Sequence, residues 1–326
     1  MLIDRFGRKH TSLRVSVTDR CNLRCTYCMP ADTPDYADRD EVLTFEEIER
    51  VVRLAVLLGV DDVRLTGGEP LVRAELEKLV KVLHQIDGIR KLSLTTNGIL
   101  LQRQLERLHA AGLRSVNVSL DALDEESFAT VTRRPGMQRV LDGINAAVEL
   151  GWKVKVNSIA MRDFTENQIV AFGRFARETG IPVRFIEFMP LDADGNWDSS
   201  AVLSGAKIVD LFSSKVRPLT PVEGRGSSPA MDYRFDDGVG TIGVIASVTQ
   251  PFCETCDRFR LTADGQLRNC LFGEDSGDLK ALLRSGGDDE AIVELMRRAV
   301  EMKRRGHGTD DLSFKRPSRP MYSIGG

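Results

Sequence analysis

Six cysteines are the residues of this 326-residue chain best suited to chemistry, and their spacing sorts them into two sites. Cys21, Cys25 and Cys28 form a C-x3-C-x2-C run near the N-terminus; Cys253, Cys256 and Cys270 follow far along the chain, with no cysteine between the groups. In a reducing compartment thiols do not persist as disulfides, so two tight groups without a stray cysteine predict two metal sites. A four-iron cluster normally takes four thiolates, and three leave one iron open to a substrate. Structural zinc usually draws four ligands from paired Cys or His, and no histidine lies near the first trio. The first trio therefore predicts an iron–sulfur cluster with an open iron. The second leaves three readings: another such cluster, zinc with a fourth ligand elsewhere, or a cluster completed by a ligand other than cysteine.

The elements that must position these groups read as alternating strand and helix. Strands are expected at 13–17, 63–66, 92–95, 116–120, 154–159 and 183–188, and helices at 45–58, 74–86, 101–111, 138–150 and 166–179. Thr44 with Glu47 is a capping-box start. Gly59, Gly88, Gly112, Gly151 and Gly180 supply helix stops. Six such units predict a parallel sheet with right-handed crossovers, and a closed barrel would need eight. The fold class is therefore α/β, a partial, open TIM-type (βα)6 barrel. The first cysteine trio follows its first strand, at the strand end where such barrels place chemistry.

Buried parallel strands usually read as continuous apolar runs. Here polar residues recur at period two: Arg14 and Ser16, Arg64 and Thr66, and Lys153, Lys155 and Asn157. That period puts each set on one face, which predicts a cationic, wet lumen suited to an anionic ligand. Residues 191–230 read as loop-like and mobile, with Asp-Gly-Asn and Gly-Arg-Gly-Ser-Ser-Pro stretches. Beyond them, a strand at 240–249, a hairpin about Asp264-Gly265 and helices at 279–283 and 290–303 make a smaller α+β region carrying the second trio. The expected division is 1–230 for the barrel and 231–326 for the second-cluster region.

A net charge of −3 offers no global attraction to nucleic acid or an anionic membrane. The N-terminus lacks a signal-peptide apolar run, and no stretch is long and apolar enough to span a membrane. A cytoplasmic protein is expected. No Walker-type loop is present, so a bound nucleotide would be held by side chains.

The run from Ser16 through Cys21, Cys25 and Cys28 to Pro30, together with Thr66-Gly67-Gly68-Glu69-Pro70, resembles the radical S-adenosylmethionine superfamily. Two trios, Arg258-Phe-Arg260 and the terminal Gly325-Gly326 narrow the resemblance to the GTP 3′,8-cyclase family of molybdenum-cofactor biosynthesis. So do the ordered stretches beginning at Arg14, Val63, Leu94, Asn117, Lys155 and Arg184. That resemblance implies two [4Fe-4S] clusters, on Cys21, Cys25 and Cys28 and on Cys253, Cys256 and Cys270. It implies S-adenosylmethionine contacts at Tyr27, Gly68, Ser119 and Met189. GTP would be held by Arg14, Arg64, Thr95, Lys155, Arg184, Arg258 and Arg260, with Asn157 and Glu187 as neighbours. In such a lyase a deoxyadenosyl radical takes the C3′ hydrogen of GTP, and C3′ then bonds to C8. The first trio, Arg258, Arg260, Gly325 and Gly326 would carry catalysis, the Gly-Gly tail entering the pocket. Arg316 and Arg319 could meet the phosphates. The implied partners are GTP, an unidentified reductant, a cyclic pyranopterin monophosphate synthase that receives the product, and a second copy of the chain. A peptide-modifying maturase with an auxiliary cluster is the enzymatic alternative, and a cluster-stabilised scaffold the non-enzymatic one.

Overall fold

The computed structural model describes residues 1–309 and 314–325. The chain opens with β1 (Ser12–Ser16), α1 (Phe45–Leu57), β2 (Asp62–Thr66), α2 (Leu76–His84), β3 (Lys91–Thr96), α3 (Leu101–Ala110) and β4 (Ser115–Ser119). It continues through α4 (Glu125–Thr132), α5 (Met137–Glu149), β5 (Lys153–Ala160), α6 (Thr165–Thr179) and β6 (Val183–Glu187). The expected capping box is present: the Thr44 hydroxyl accepts from Glu47 N while a Glu47 carboxylate oxygen accepts from Thr44 N. Such a cap stabilises a helix start by ~1 kcal/mol. Helix α4 departs from expectation. It is a one-helix insertion between β4 and α5, started by the Asp124 side chain accepting from Ser127 N at 2.8 Å.

The stretch 191–230 is also more ordered than its composition suggests. It contains α7 (Gly205–Lys215), capped by Ser204 and seated through Ile208, Leu211 and Phe212, and then β7 (Leu219–Pro221). The remainder comprises β8 (Met231–Phe235), β9 (Thr241–Ile245), β10 (Arg258–Leu261), β11 (Gln266–Arg268), β12 (Gly277–Asp278), α8 (Leu279–Arg284), α9 (Asp289–Glu301) and α10 (Met321–Ile324).

Among the described residues twelve strands form one open sheet in the order β12-β11-β10-β1-β2-β3-β4-β5-β6-β9-β8-β7. β1 to β6 are the expected parallel (βα)6 core. The later strands extend it from both ends: β10 pairs parallel with β1, and β9 pairs parallel with β6. The apolar alternates Val15, Val63 and Val156 are fully buried under the helices. The opposite face is free to be polar, and it lines the site.

Candidate active site

One cavity of about 920 Å³ takes its walls from all six cysteines and from the polar face of the barrel. The first trio sits on the loop after β1. That loop is braced by Gly67 and Gly68: Gly68 N donates to Thr18 O at 2.7 Å and Glu69 N to Arg20 O at 2.8 Å. A Cβ on Gly68 would lie 2.6 Å from the Arg20 carbonyl oxygen, so only glycine permits this approach. Glu69 is buried and accepts from Leu71 N, the Thr96 hydroxyl and Asn97 N; burial lifts its pKa to about 7. Asn97 in turn points its amide at Cys21 Sγ, 3.8 Å away.

The three thiols lie close enough to perturb one another. Burial, then the charge of Glu69, pushes Cys21 up to about 11. Burial raises Cys25, helped by Asp121 and by the other two thiols, and burial with Cys21 raises Cys28. Such a set favours neutral thiols until a cation compensates the thiolates, as bound iron does. Tyr27 donates to the buried Asp121 at 2.7 Å, and burial moves that carboxyl up to about 6.

The cationic wall is set by strand register. Arg260, Arg14, Arg64 and Ser93 stand abreast on β10, β1, β2 and β3. Like charges directly opposite each other destabilise a sheet. Burial holds Arg14 down to about 10, with Arg258 adding repulsion, and Arg260 to about 9, with Arg14 and Arg258 adding repulsion. Arg64 is lowered by burial and by Arg14. Arg14 Nη1 has no hydrogen-bond partner among the described residues. A wall of this kind is complementary to a multiply charged anion.

The second trio closes the other side. The hairpin β10–β11 returns Cys270 toward Cys253 and Cys256, as Asp264-Gly265 led one to expect. Cys253 and Cys256 both sense the charge of Lys303, and Cys253 senses Cys270 and Cys256. Burial pushes Cys256 up, but Arg258 and Lys303 outweigh it and leave the thiol at about 6. Arg258 Nη2 is 3.4 Å from Cys256 Sγ, and its guanidinium lies over the Phe252 ring at 5.0 Å. All six cysteines are free, with no disulfide. Among the described residues no group of three His, Cys, Asp or Glu gathers tightly enough to hold a single metal ion. Three soft sulfur donors per trio, mutually coupled and facing one cavity, are the donor chemistry of an iron–sulfur cluster.

The C-terminal segment lies against this site. Ile324 and Tyr322 are buried, and Arg260 Nη1 donates to Gly325 O at 2.6 Å. Gly326 lies outside the described residues. Arg316 and Arg319, expected near phosphates, instead anchor the segment: Arg316 pairs with Asp192, and Arg319 with Asp264 and Asp275.

Of the other expected residues, Tyr27, Gly68, Thr95, Ser119, Asn157 and Met189 line the cavity. Lys155 and Arg184 do not reach its wall. Arg184 pairs with Asp232 at 3.2 Å, and burial together with Arg184 lowers Lys155 to about 8. Glu187 is spent on structure: it accepts from Gly205 N, Val248 N and Thr249 N, each at 2.8 Å. Sequence reasoning missed Asn97, Asp121, Phe252 and Lys303. Asn97 and Asp121 lie within two residues of the ends of β3 and β4, which was the available signal; Phe252 and Lys303 gave none.

The fold, the three-cysteine loop and its glycine brace define a radical S-adenosylmethionine protein. Residues 15–176 match the Radical SAM superfamily, and residues 181–309 match the Molybdenum Cofactor Synthesis C family. Two relatives named GTP 3′,8-cyclase cover 100% of this chain: one from Rhodopirellula baltica, 49% identical and matched over 92% of its length, and one from Streptomyces coelicolor, 47% identical and matched over 96%. The chain belongs to the GTP 3′,8-cyclase family. Solved structures share the fold. Streptococcus suis SuiB bound to S-adenosylmethionine aligns with a TM-score of 0.61 at 15% identity, over 89% of this chain and 68% of that one. Native anSMEcpe with bound AdoMet aligns at 0.60 and 16%, over 93% and 84%.

Proposed function

We propose that the cavity holds S-adenosylmethionine at the Cys21–Cys25–Cys28 loop and GTP against the second trio, and that the chain joins C3′ of GTP to C8. The observation that carries this reading is the abreast row Arg260–Arg14–Arg64 between the two trios of one cavity. Buried guanidiniums that no carboxylate hydrogen-bonds among the described residues call for a triphosphate. The loops after β1, β2 and β6 and the end of β4 put Tyr27, Gly68, Met189 and Ser119 on the wall of the cavity that holds the first trio, where they contact S-adenosylmethionine. When bound, the first cluster and S-adenosylmethionine supply the one-electron chemistry that abstracts a hydrogen atom. Arg14, Arg64, Arg258 and Arg260 fix the phosphates and the base, and so fix which ribose hydrogen faces the first trio. Thr95 completes the nucleotide contacts. Lys155 and Arg184 join them once Arg184 exchanges Asp232 for phosphate. Gly325, held by Arg260, closes this end of the cavity and excludes water.

In this reading residues 1–230 form the S-adenosylmethionine-binding barrel and 231–326 the second-cluster region. The enzyme is a lyase of the cytoplasm that acts as a homodimer, draws on a separate reductant and passes its product to a cyclic pyranopterin monophosphate synthase. The test is anaerobic reconstitution with iron and sulfide, followed by S-adenosylmethionine, dithionite and each nucleoside triphosphate in turn. GTP-dependent 5′-deoxyadenosine together with an isomer of GTP is the expected result. Deoxyadenosine formed equally with every nucleotide would remove GTP from the assignment.

A further inference from the structure

The end of α9 and the residues just after it are bonded, directly or through Arg8, to every segment that carries a cysteine of the second trio. Lys303 follows α9, and its backbone N donates to Val300 O at 3.0 Å, which fixes it to the helix. Its ammonium lies 3.3 Å from Cys256 Sγ and donates to Arg258 O at 2.6 Å. One helical turn earlier, Ala299 O accepts from the Asn269 amide at 2.8 Å, holding the residue next to Cys270. Just beyond, Arg8 bridges Arg304 O and Arg305 O to the carbonyl oxygen of Cys253, the last at 2.6 Å. The helix can serve as a fixed support, because Ile292, Met296, Ala299 and Val300 are buried beneath it.

Lys303 itself is only 3% exposed. A lysine so deeply buried is rare unless paired, and no carboxylate is bonded to it among the described residues. Its bonded partners are a thiol sulfur and a carbonyl. We propose that Lys303 is a positioning residue that sets the reduction potential of a cluster on Cys253, Cys256 and Cys270. Its charge-assisted N–H···S bond stabilises the more negative, reduced cluster, as outer hydrogen bonds to cluster sulfurs do. Arg258 supplies a second donor to the same sulfur from β10, so Cys256 is the ligand on which the field concentrates. This inference rests on the reading of that trio as cluster ligands.

The test uses full-length reconstituted wild type, Lys303→Met and Lys303→Arg. Iron and sulfide are counted, and each cluster is titrated potentiometrically by electron paramagnetic resonance, with S-adenosylmethionine added to mark the first cluster's signal. In Lys303→Met the ratio of reduced to oxidised second cluster at fixed potential falls at least tenfold, a shift of about 59 mV for one electron. The first cluster is unchanged, and Lys303→Arg restores the wild-type value. Selective loss of the second cluster in Lys303→Met, rescued by Lys303→Arg, also supports the charge. An unchanged potential in Lys303→Met with full iron overturns the inference alone, as does loss of the cluster in both variants. Wild type holding iron for one cluster only overturns the ligand reading and the inference with it.

Discussion

Arg14 is the sharpest place to test whether the barrel wall is built for an anion, because the free and the liganded protein should respond to its loss in opposite directions. The guanidinium is 8% exposed, stands abreast of Arg64 and Arg260, and has one nitrogen without a partner among the described residues. Burial, with repulsion from Arg258, moves it from 12.5 to about 10. At 1.36 kcal/mol per pKa unit, its charge costs the empty fold ~3 kcal/mol. Arg14→Met keeps most of the stem and removes that cost. The GTP-free protein should become more stable by ~1–3 kcal/mol, an upward melting shift of a few degrees for a chain of this size. With GTP the sign reverses. A hydrogen bond to a charged group contributes ~1.5–3 kcal/mol, so affinity should fall roughly ten- to a hundred-fold. A ligand at a hundred times its Kd adds ~2.7 kcal/mol of stability, and about half or more of that increment should vanish at the same GTP concentration. Anaerobic calorimetric melts of reconstituted protein, with and without GTP and without S-adenosylmethionine, read both effects. If Arg14→Met melts lower when empty and gains as much from GTP as wild type does, the wall is not an anion site and the charge argument fails.

Three further outcomes follow from the same geometry. Gly325 sits at φ +85°, and a Cβ there would lie 2.8 Å from Ser16 Cβ; forcing that backbone costs ~1–3 kcal/mol. Gly325→Ala should cut cyclised product at least tenfold with iron content and GTP binding retained, and normal turnover would dismiss the tail's placement. His10 is buried against Asp4, and burial, then the charge of Lys303, holds it down to about 4. The unfolded chain takes up a proton near pH 6.5 that the folded chain refuses, so ~3 kcal/mol of stability present above pH 6.5 is lost as pH falls toward 4. His10→Gln should flatten that slope in melts between pH 7 and 5; an equal slope in both proteins would exclude His10 as its source. Cys270→Ser should spare 5′-deoxyadenosine formation more than cyclisation, and parallel loss of both in a folded protein would argue against a division of labour between the trios.

The sequence was most readable where a local rule and the global fold agree. Gly59, Gly112, Gly151 and Gly180 adopt positive φ at the helix ends that sequence assigned to them, and Arg14, Arg64 and Asn157 line the cavity that period two foretold. It was least readable where short elements hide behind turn-rich composition. In α4 the β-branched Thr130, Val131 and Thr132 lower helix propensity, and the helix exists because Phe128 and Val131 find a buried seat. In α7 the Gly and Pro residues on either side masked a Ser204 cap and a three-residue apolar face. The anchoring of the tail was hidden for a different reason. Arg316 and Arg319 have carboxylates waiting at Asp192, Asp264 and Asp275, from 44 to 124 residues away in sequence. Pairings of that range leave no local trace. Asp232, which occupies Arg184, is hidden in the same way.

The placement of the two trios follows from one strand pairing. Cys21, Cys25 and Cys28 follow β1; Cys253 and Cys256 precede β10, and Cys270 follows β11. Had β10 paired on the far edge of the sheet, the trios would stand a barrel apart. Because β10 joins β1 in parallel, with Arg14 opposite Arg260 and Ser12 opposite Arg258, the segment that carries Cys253 and Cys256 enters beside the start of β1, while the first trio leaves from its end. The two cysteine sets therefore stand at opposite ends of the same strand pair, and the arginines of that pair lie between them. A ligand that bridges both must lie along this pair, with its charge against Arg14 and Arg260. The single register thus places the second site, aligns the arginines and sets the distance between the two trios.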